Sequence, residues 1–310
     1  MIEELNAKAE SLLPSDGFDW TTRGTLDSDE RVFYGALATR FGPSVASLFR
    51  QHEKRRVTLS LTGDFASESA GSYIGGHPFV SSEERFTWPT NTDSGKPLAF
   101  LMQLNLAEIP KLEGFPDSGL FQWWIKGDDD LFGMSFEADA SGKEGLMVKF
   151  YPASALSDSA SSPLDQISNR TDGEDLELGP LLVSRPFALS GQEVRSFPTG
   201  YEDIEVSFEA LSIFVDAVES LDYRNPEDSQ LIPFFDSKTQ LGGYPSLAQG
   251  DPRYKEERPG TLILQLDSMA TDDGSDVLMW GDSGSAQIFG DLEAFSQGDM
   301  NSLWWDWACY

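Results

Sequence analysis

Cysteine is almost missing from these 310 residues: Cys309 stands alone, and one thiol cannot form an internal disulfide. Long apolar runs are missing too, each being broken by Gly, Pro or a charge before the roughly 18 residues of a membrane span. The first twenty residues carry Glu3, Glu4 and Glu10 with no apolar stretch of signal-peptide length. Together these absences point to a soluble chain in a reducing cytoplasm. Histidine is limited to His52 and His77, which with one Cys gives no zinc-ligand spacing. Basic residues are scarce: 22 Lys and Arg face 52 Asp and Glu, for a formal net charge of −30. That field repels nucleic-acid phosphates and anionic lipid, so neither nucleic acid nor membrane is expected as a partner. Two readings of the acidity stay open: a solubility or salt adaptation, and attraction for a basic protein or a cation.

What is present folds. Hydrophobic residues make up 39%, an ordinary globular share once glycine is added. The length fits two domains or one large one, able to bury roughly 75% of its unfolded surface. Residues 1–56 read as a helical lead. Ile2, Leu5, Ala9 and Leu12 recur at helical spacing before Pro14, and Ser28 as N-cap, with Asp29 and Glu30 in the first turn, opens a second helix carrying Phe33, Leu37 and Phe41. Pro43 starts a third, running through Val45, Leu48 and Phe49 to His52, with Lys54, Arg55 and Arg56 as cations at its C-terminal end. After Arg56 the period becomes two: Val57, Leu59 and Leu61 alternate with Thr and Ser. Strands are then expected over 97–106, 119–125, 146–151, 181–189 and 261–266, with one later helix capped by Ser207. A Ser-, Asp- and Gly-rich tract over 153–180 separates a first β unit, 57–152, from a second, 181–310.

The two β units echo each other. Gly75-Gly76-His77-Pro78 precedes a strand containing Gln103 and then Gly119 to Trp124; Gly242-Gly243-Tyr244-Pro245 precedes a strand containing Gln265 and then Gly284 to Phe289. Paired glycines admit positive φ, and a glutamine among Leu, Ile and Phe must find partners for its amide, either backbone groups beside it or a ligand. These residues, with Trp88-Pro89, Gln249, Asp251 and Met279-Trp280-Gly281-Asp282-Ser283-Gly284, give the chain a resemblance to the YwqG-like family of bacterial proteins from about Ile74 onward. The resemblance implies a mainly β architecture of roll type with repeated units and flanking helices, and it implies no activity. The fold class expected is therefore α+β, mainly β: two roll-like repeated units behind an N-terminal helical lead.

No constellation demands a chemistry. Gly281-Asp282-Ser283-Gly284 imitates a serine-protease nucleophile segment, but His52 sits on a predicted helix and His77 in a turn, so neither is placed as its base. The clusters Asp128-Asp129-Asp130, Asp139 with Glu144, and Asp272-Asp273-Gly274-Ser275-Asp276 read as solvated turns rather than calcium loops. Trp123 and Trp124 are neighbours on a strand and must point to opposite faces. No catalytic residue, metal or cofactor is expected. The candidate ligand- or partner-binding residues are Gln103, Gln265, Trp88, Trp124, Tyr244, Trp280 and Asp282. The preferred reading is a non-enzymatic module that binds a basic protein. The alternative is an enzyme or sensor holding a small ligand in the seam between the repeats.

Overall fold

The computed structural model describes residues 2–14, 19–21, 27–65, 69–81, 86–92, 94–127, 130–134, 142–156, 186–198, 200, 205–236, 238–254 and 260–309. Asp128, Asp129, Asp139 and most of the acidic tract, 157–180, lie outside the described residues. By internal contacts the chain divides into two compact units. The first comprises residues 1–56, 194–237 and 243–251, and the second residues 57–193, 238–242 and 252–310.

The first unit is helical. Helices α1 (Ile2–Leu12), α2 (Ser28–Phe41), α3 (Pro43–Gln51) and α4 (Phe208–Glu219) bury Leu5, Phe33, Leu37, Val45, Phe49 and Phe214 in one core, with a short α5 (Pro226–Ser229) beside them. Asp27, rather than Ser28, caps α2: its carboxylate accepts the Glu30 N–H while Glu30 reaches back to the Asp27 N–H. Gly42 joins α2 to α3 at φ +99°, and a Cβ there would strike the Asn6 side chain. Asn6 uses that space to accept the Ser44 N–H at 2.9 Å, supplying the cap that a glycine cannot.

The basic cluster corrects the sequence reading. Lys54–Arg56 do not close α3; they open the first strand, β1 (Lys54–Phe65). Side-chain partners override the helix-end preference. Arg55 pairs with Glu30 at 3.0 Å and Glu53 at 3.2 Å, and the buried Arg56 points its guanidinium at the Phe234 and Asp236 carbonyls. Burial pulls the Arg56 pKa down to about 10, against the opposing pull of Asp236.

One buried ion pair in this unit makes a testable acid response. Asp228, only 1% exposed, accepts from Arg40 at 2.9 Å and from the Asp222 N–H at 3.0 Å. Burial pushes its carboxyl up, but the Asp222 N–H, Arg40 and Asn225 together outweigh it and hold it below the usual range. A depressed carboxyl stabilises the fold above its unfolded value of about 3.9, and that contribution is lost as pH falls through the folded value. Asp228→Asn is expected to cost about 1.5–3 kcal/mol near neutral pH, the range for hydrogen bonds to charged groups, and less in acid, below the folded value. Melts at the two pH values check it, and an equal deficit at both would contradict it.

The second unit is built on one large sheet. Ten strands run in the order β12, β11, β8, β7, β1, β6, β2, β3, β4, β5, and every strand pair whose register is defined is antiparallel. Their spans are β2 Tyr73–Ile74, β3 Ala99–Asn105, β4 Leu120–Ile125, β5 Leu146–Tyr151, β6 Phe187–Ser196, β7 Gln240–Gly242, β8 Thr261–Asp267, β11 Ser285–Gly290 and β12 Trp304–Ala308. A small hairpin, β9 (Met269–Ala270) with β10 (Asp276–Leu278), stands apart from the sheet ladder. The sheet curls until its edges nearly meet. The Trp305 N–H on β12 donates to the Gly142 carbonyl at 2.8 Å and its indole N–H to the Glu144 carbonyl at 2.9 Å, just ahead of β5.

Where two rolls are expected, the ten strands thus form a single, nearly closed sheet, because β1 and β6 pair at its centre. To one side of that pair stand β2, β3, β4 and β5, to the other β7, β8, β11 and β12. Matching rows cross both sides: Tyr73, Gln103, Gln122 and Lys149 on one, Gln240, Gln265, Gln287 and Asp306 on the other. Gly75 and Gly76, with φ +77° and +69°, end β2; Gly242 and Gly243, with +61° and +75°, end β7. The opposite sheet face carries Phe121, Trp123, Ile125, Ala286, Ile288 and Trp305 into the main core.

Candidate functional site

Strand β1 is longer than one of its neighbours. The Leu59 N–H donates to the Thr239 carbonyl at 2.8 Å, beside the start of β7. Because backbone donors alternate between the two edges of a strand, Leu61 and Gly63 present their N–H groups to the same side. Across from them stands the β9–β10 hairpin. A groove of about 650 Å³ lies between, floored by Leu61 and Phe187 and rimmed by Ala270, Thr271, Asp272, Asp273, Ser275 and Asp276. Leu61, Phe187 and Met269 also pack against the main core, so the floor is anchored. At Gly63 an added Cβ would meet nothing within 4 Å, which marks that end of the groove as open.

The rim has a built geometry. Asp273 accepts from the Thr271 hydroxyl at 2.5 Å and the Ser275 N–H at 3.1 Å, and these bonds hold its carboxyl below the usual carboxylate range. Thr271 N–H in turn donates to the Ser275 carbonyl at 2.9 Å, closing the turn around Gly274 at φ +83°. Asp272 and Asp276 flank this turn on the exposed surface. Chemically the groove offers an apolar floor and three carboxylates. Among the described residues no cluster of His, Cys, Asp and Glu is arranged to hold a metal ion.

The residues singled out from sequence are not gathered at one place. Gln103 is fully buried: its amide donates to the Ser69 and Gly71 carbonyls at 2.8 Å each, and its oxygen accepts the Phe79 N–H at 2.8 Å. Gln265, on the matching row, donates to the Lys238 carbonyl at 3.3 Å. Trp124 and Trp88 pack edge to face at 5.2 Å beside Phe100, and the Trp88 indole donates to the Leu98 carbonyl at 2.8 Å. Trp280 lies wholly inside the main core. Tyr244 belongs to the helical unit, where its ring faces Lys54 Nζ at 4.3 Å. Asp282 is exposed in the turn before β11. His52 ends α3 edge-on to Phe214, and burial lowers its pKa. The Ser283 hydroxyl, in the same turn as Asp282, lies 4.0 Å from Met279 Sδ.

Sequence reasoning found the Asp272–Asp276 turn but not what it faces. Leu61 and Phe187 read as ordinary strand residues. What brings them beside that turn is the pairing of β1 with its neighbours, which the length of a strand does not disclose.

No helix among the described residues is long and apolar enough to cross a membrane. Compared with known families, residues 72–309 match the model described as a domain of unknown function, DUF1963. No curated protein matches the chain.

Proposed function

The chain belongs to the DUF1963 family, a domain of unknown function, and from that premise we propose that it is a non-enzymatic binding module whose partner is a basic protein surface. The observation that carries this reading is the groove between β1 and the β9–β10 hairpin, in which an apolar floor is rimmed by Asp272, Asp273 and Asp276. A Lys or Arg side chain suits such a place, with an aliphatic stem for the floor and a cationic head for the rim. The net charge of −30 acts in the same direction over a longer range. The reading extends to a YwqG-like identity within the family, to two repeated units each contributing four strands of the sheet, and to work in the cytoplasm without nucleic acid, membrane or cofactor.

The test is kinetic. A partner recovered by pull-down should associate faster at about 20 mM salt than at about 300 mM, by tenfold or more, since the Debye length shrinks from about 20 Å to under 8 Å. Dissociation should change far less. A flat on-rate, or a co-purifying small molecule in place of a protein, would overturn the reading.

A further inference from the structure

We infer that β4 and β5, on the face turned away from the main core, hold a second binding site, for a small apolar carboxylate of the amino-acid class with an N–H beside the carboxylate. The primary observation is a pair of unsatisfied polar atoms. Gln122 Oε1 and the Trp124 indole N–H have no hydrogen-bond partner among the described residues, although both side chains are wholly buried. An acceptor and a donor left unpaired in the interior are costly, and native structures seldom keep them without a reason. Two residues apart on β4, the two side chains share one face of the sheet. The Gln122 amide nitrogen is committed, donating to the Phe79 carbonyl at 2.8 Å and to Gln103 Oε1 at 3.1 Å, which leaves the oxygen to serve something else. The indoles of Trp123 and Trp280 are also unpaired, but they lie inside the main core and offer donors only.

A ring of half-buried side chains frames this pair. Trp124 packs on Trp88 with centroids 5.2 Å apart, Trp88 on Phe86 at 6.0 Å, and Lys149 Nζ lies 5.9 Å from the Phe86 centroid. The ring closes across the sheet, where Lys149 stands opposite Gln122 and Met147 opposite Trp124. Phe86, Trp88, Met147 and Lys149 are each partly exposed, and β5 is an end strand of the sheet, so a ligand reaches the pair from this side. Trp88 is pinned by its indole bond to the Leu98 carbonyl; Phe86, whose ring meets Trp88 and Lys149, is the side chain that turns aside. Each part of the frame asks for one part of a ligand. The Trp124 N–H and the three-donor Lys149 ammonium suit a carboxylate, Gln122 Oε1 needs an N–H, and Phe86, Trp88 and Met147 suit an apolar substituent. An apolar amino acid, free or as the last residue of a peptide, carries all three. The net charge of −30 opposes anions in general, so Lys149 is what makes a carboxylate acceptable here. The site is independent of the acidic groove, and its ligand binds beside a protein partner, not in place of one.

The test is calorimetric titration of the full chain with L-phenylalanine, N-acetyl-L-phenylalanine, N-acetyl-L-phenylalaninamide, which lacks the carboxylate, and 3-phenylpropionate, which lacks the N–H. The better of the first two is expected to bind about tenfold more tightly than either of the last two, the loss of one or two hydrogen bonds being enough for that ratio. Preference for the free amino acid marks a metabolite and preference for the acetylated one the end of a peptide; either upholds the site. Trp124→Phe keeps a ring without the N–H, and Lys149→Met keeps the stem without the charge. Each should weaken the better probe by about fivefold or more, and Lys149→Met should also erase the preference for acid over amide. A merely structural effect would lower the melting temperature and weaken all four probes alike. Lys149 is half-buried, so its variant should melt as wild type and decides the matter even if Trp124→Phe folds poorly. No binding of any probe at about 10 mM, or binding unchanged in both variants, would overturn the inference.

Discussion

Gln103→Leu should destabilise the sheet unit by about 2–4 kcal/mol, making it one of the most damaging single changes available there. Leucine matches the volume but carries no amide. The buried Phe79 N–H loses its acceptor, and the Ser69 and Gly71 carbonyls lose a donor at 2.8 Å each. Stranding a buried polar group costs about 1–3 kcal/mol, with less for carbonyls that water can reach. In a unit of this size that lowers the melting temperature by roughly 5–15 °C. Gln103→Glu should be worse near neutral pH, because its second oxygen would face two carbonyls. That extra deficit should fade in acid, as protonation restores a donor. Melting by near-UV circular dichroism at two pH values decides the matter. If Gln103 were a ligand contact held ready on an otherwise complete fold, both variants would melt as wild type.

The same glutamine shows where sequence reasoning succeeds and where it stops. A Gln amid Phe100, Leu101, Met102 and Leu104 had to satisfy its amide, and both options, backbone and ligand, follow from composition of the strand alone. Which option holds depends on Ser69, Gly71 and Phe79, and no local pattern announces that these segments fold back across β3. Period and punctuation did place the strands: the alternation after Arg56, the break at Pro97 and the glycines before β4 and β11 all mark real elements. They could not reveal that β1 and β6, far apart in the chain, pair with each other and unite ten strands in one sheet. Long-range pairing is a property of the whole chain, whereas period is a property of a window of about ten residues. For the same reason Lys54–Arg56 looked like a helix end: the carboxylate of Glu30 and the carbonyl of Phe234 that claim Arg55 and Arg56 arrive from elsewhere.

The groove follows this division. Its acidic rim is contiguous and was visible as Asp272 to Asp276, while its floor joins Leu61 to Phe187 across more than a hundred residues. A site assembled partly by register is legible only in the part that is contiguous.

Trp280→Ala is expected to cost about 3–5 kcal/mol, the range for emptying a large aromatic from a core, while Trp280→Phe should stay within about 1–1.5 kcal/mol of wild type. The indole is wholly buried between Trp123 at 6.3 Å, Trp305 at 6.3 Å, Trp307 at 5.9 Å and Phe132 at 5.6 Å between ring centroids. Alanine would leave a cavity walled by four aromatic rings, Trp123 on β4, Trp305 and Trp307 on β12 and Phe132 in a turn, which cannot easily collapse together. Phenylalanine loses area but keeps a ring, and it removes a liability. The Trp280 indole N–H, like that of Trp123, is buried with no hydrogen-bond partner among the described residues. Deleting an unsatisfied buried donor returns part of its desolvation cost, which offsets the smaller side chain. The two variants therefore separate packing from polarity at one position. Denaturant unfolding measured on both would show a large drop in midpoint for alanine and a small one for phenylalanine. Equal, large losses would mean that the indole N–H has a partner that matters, a buried water or a ligand.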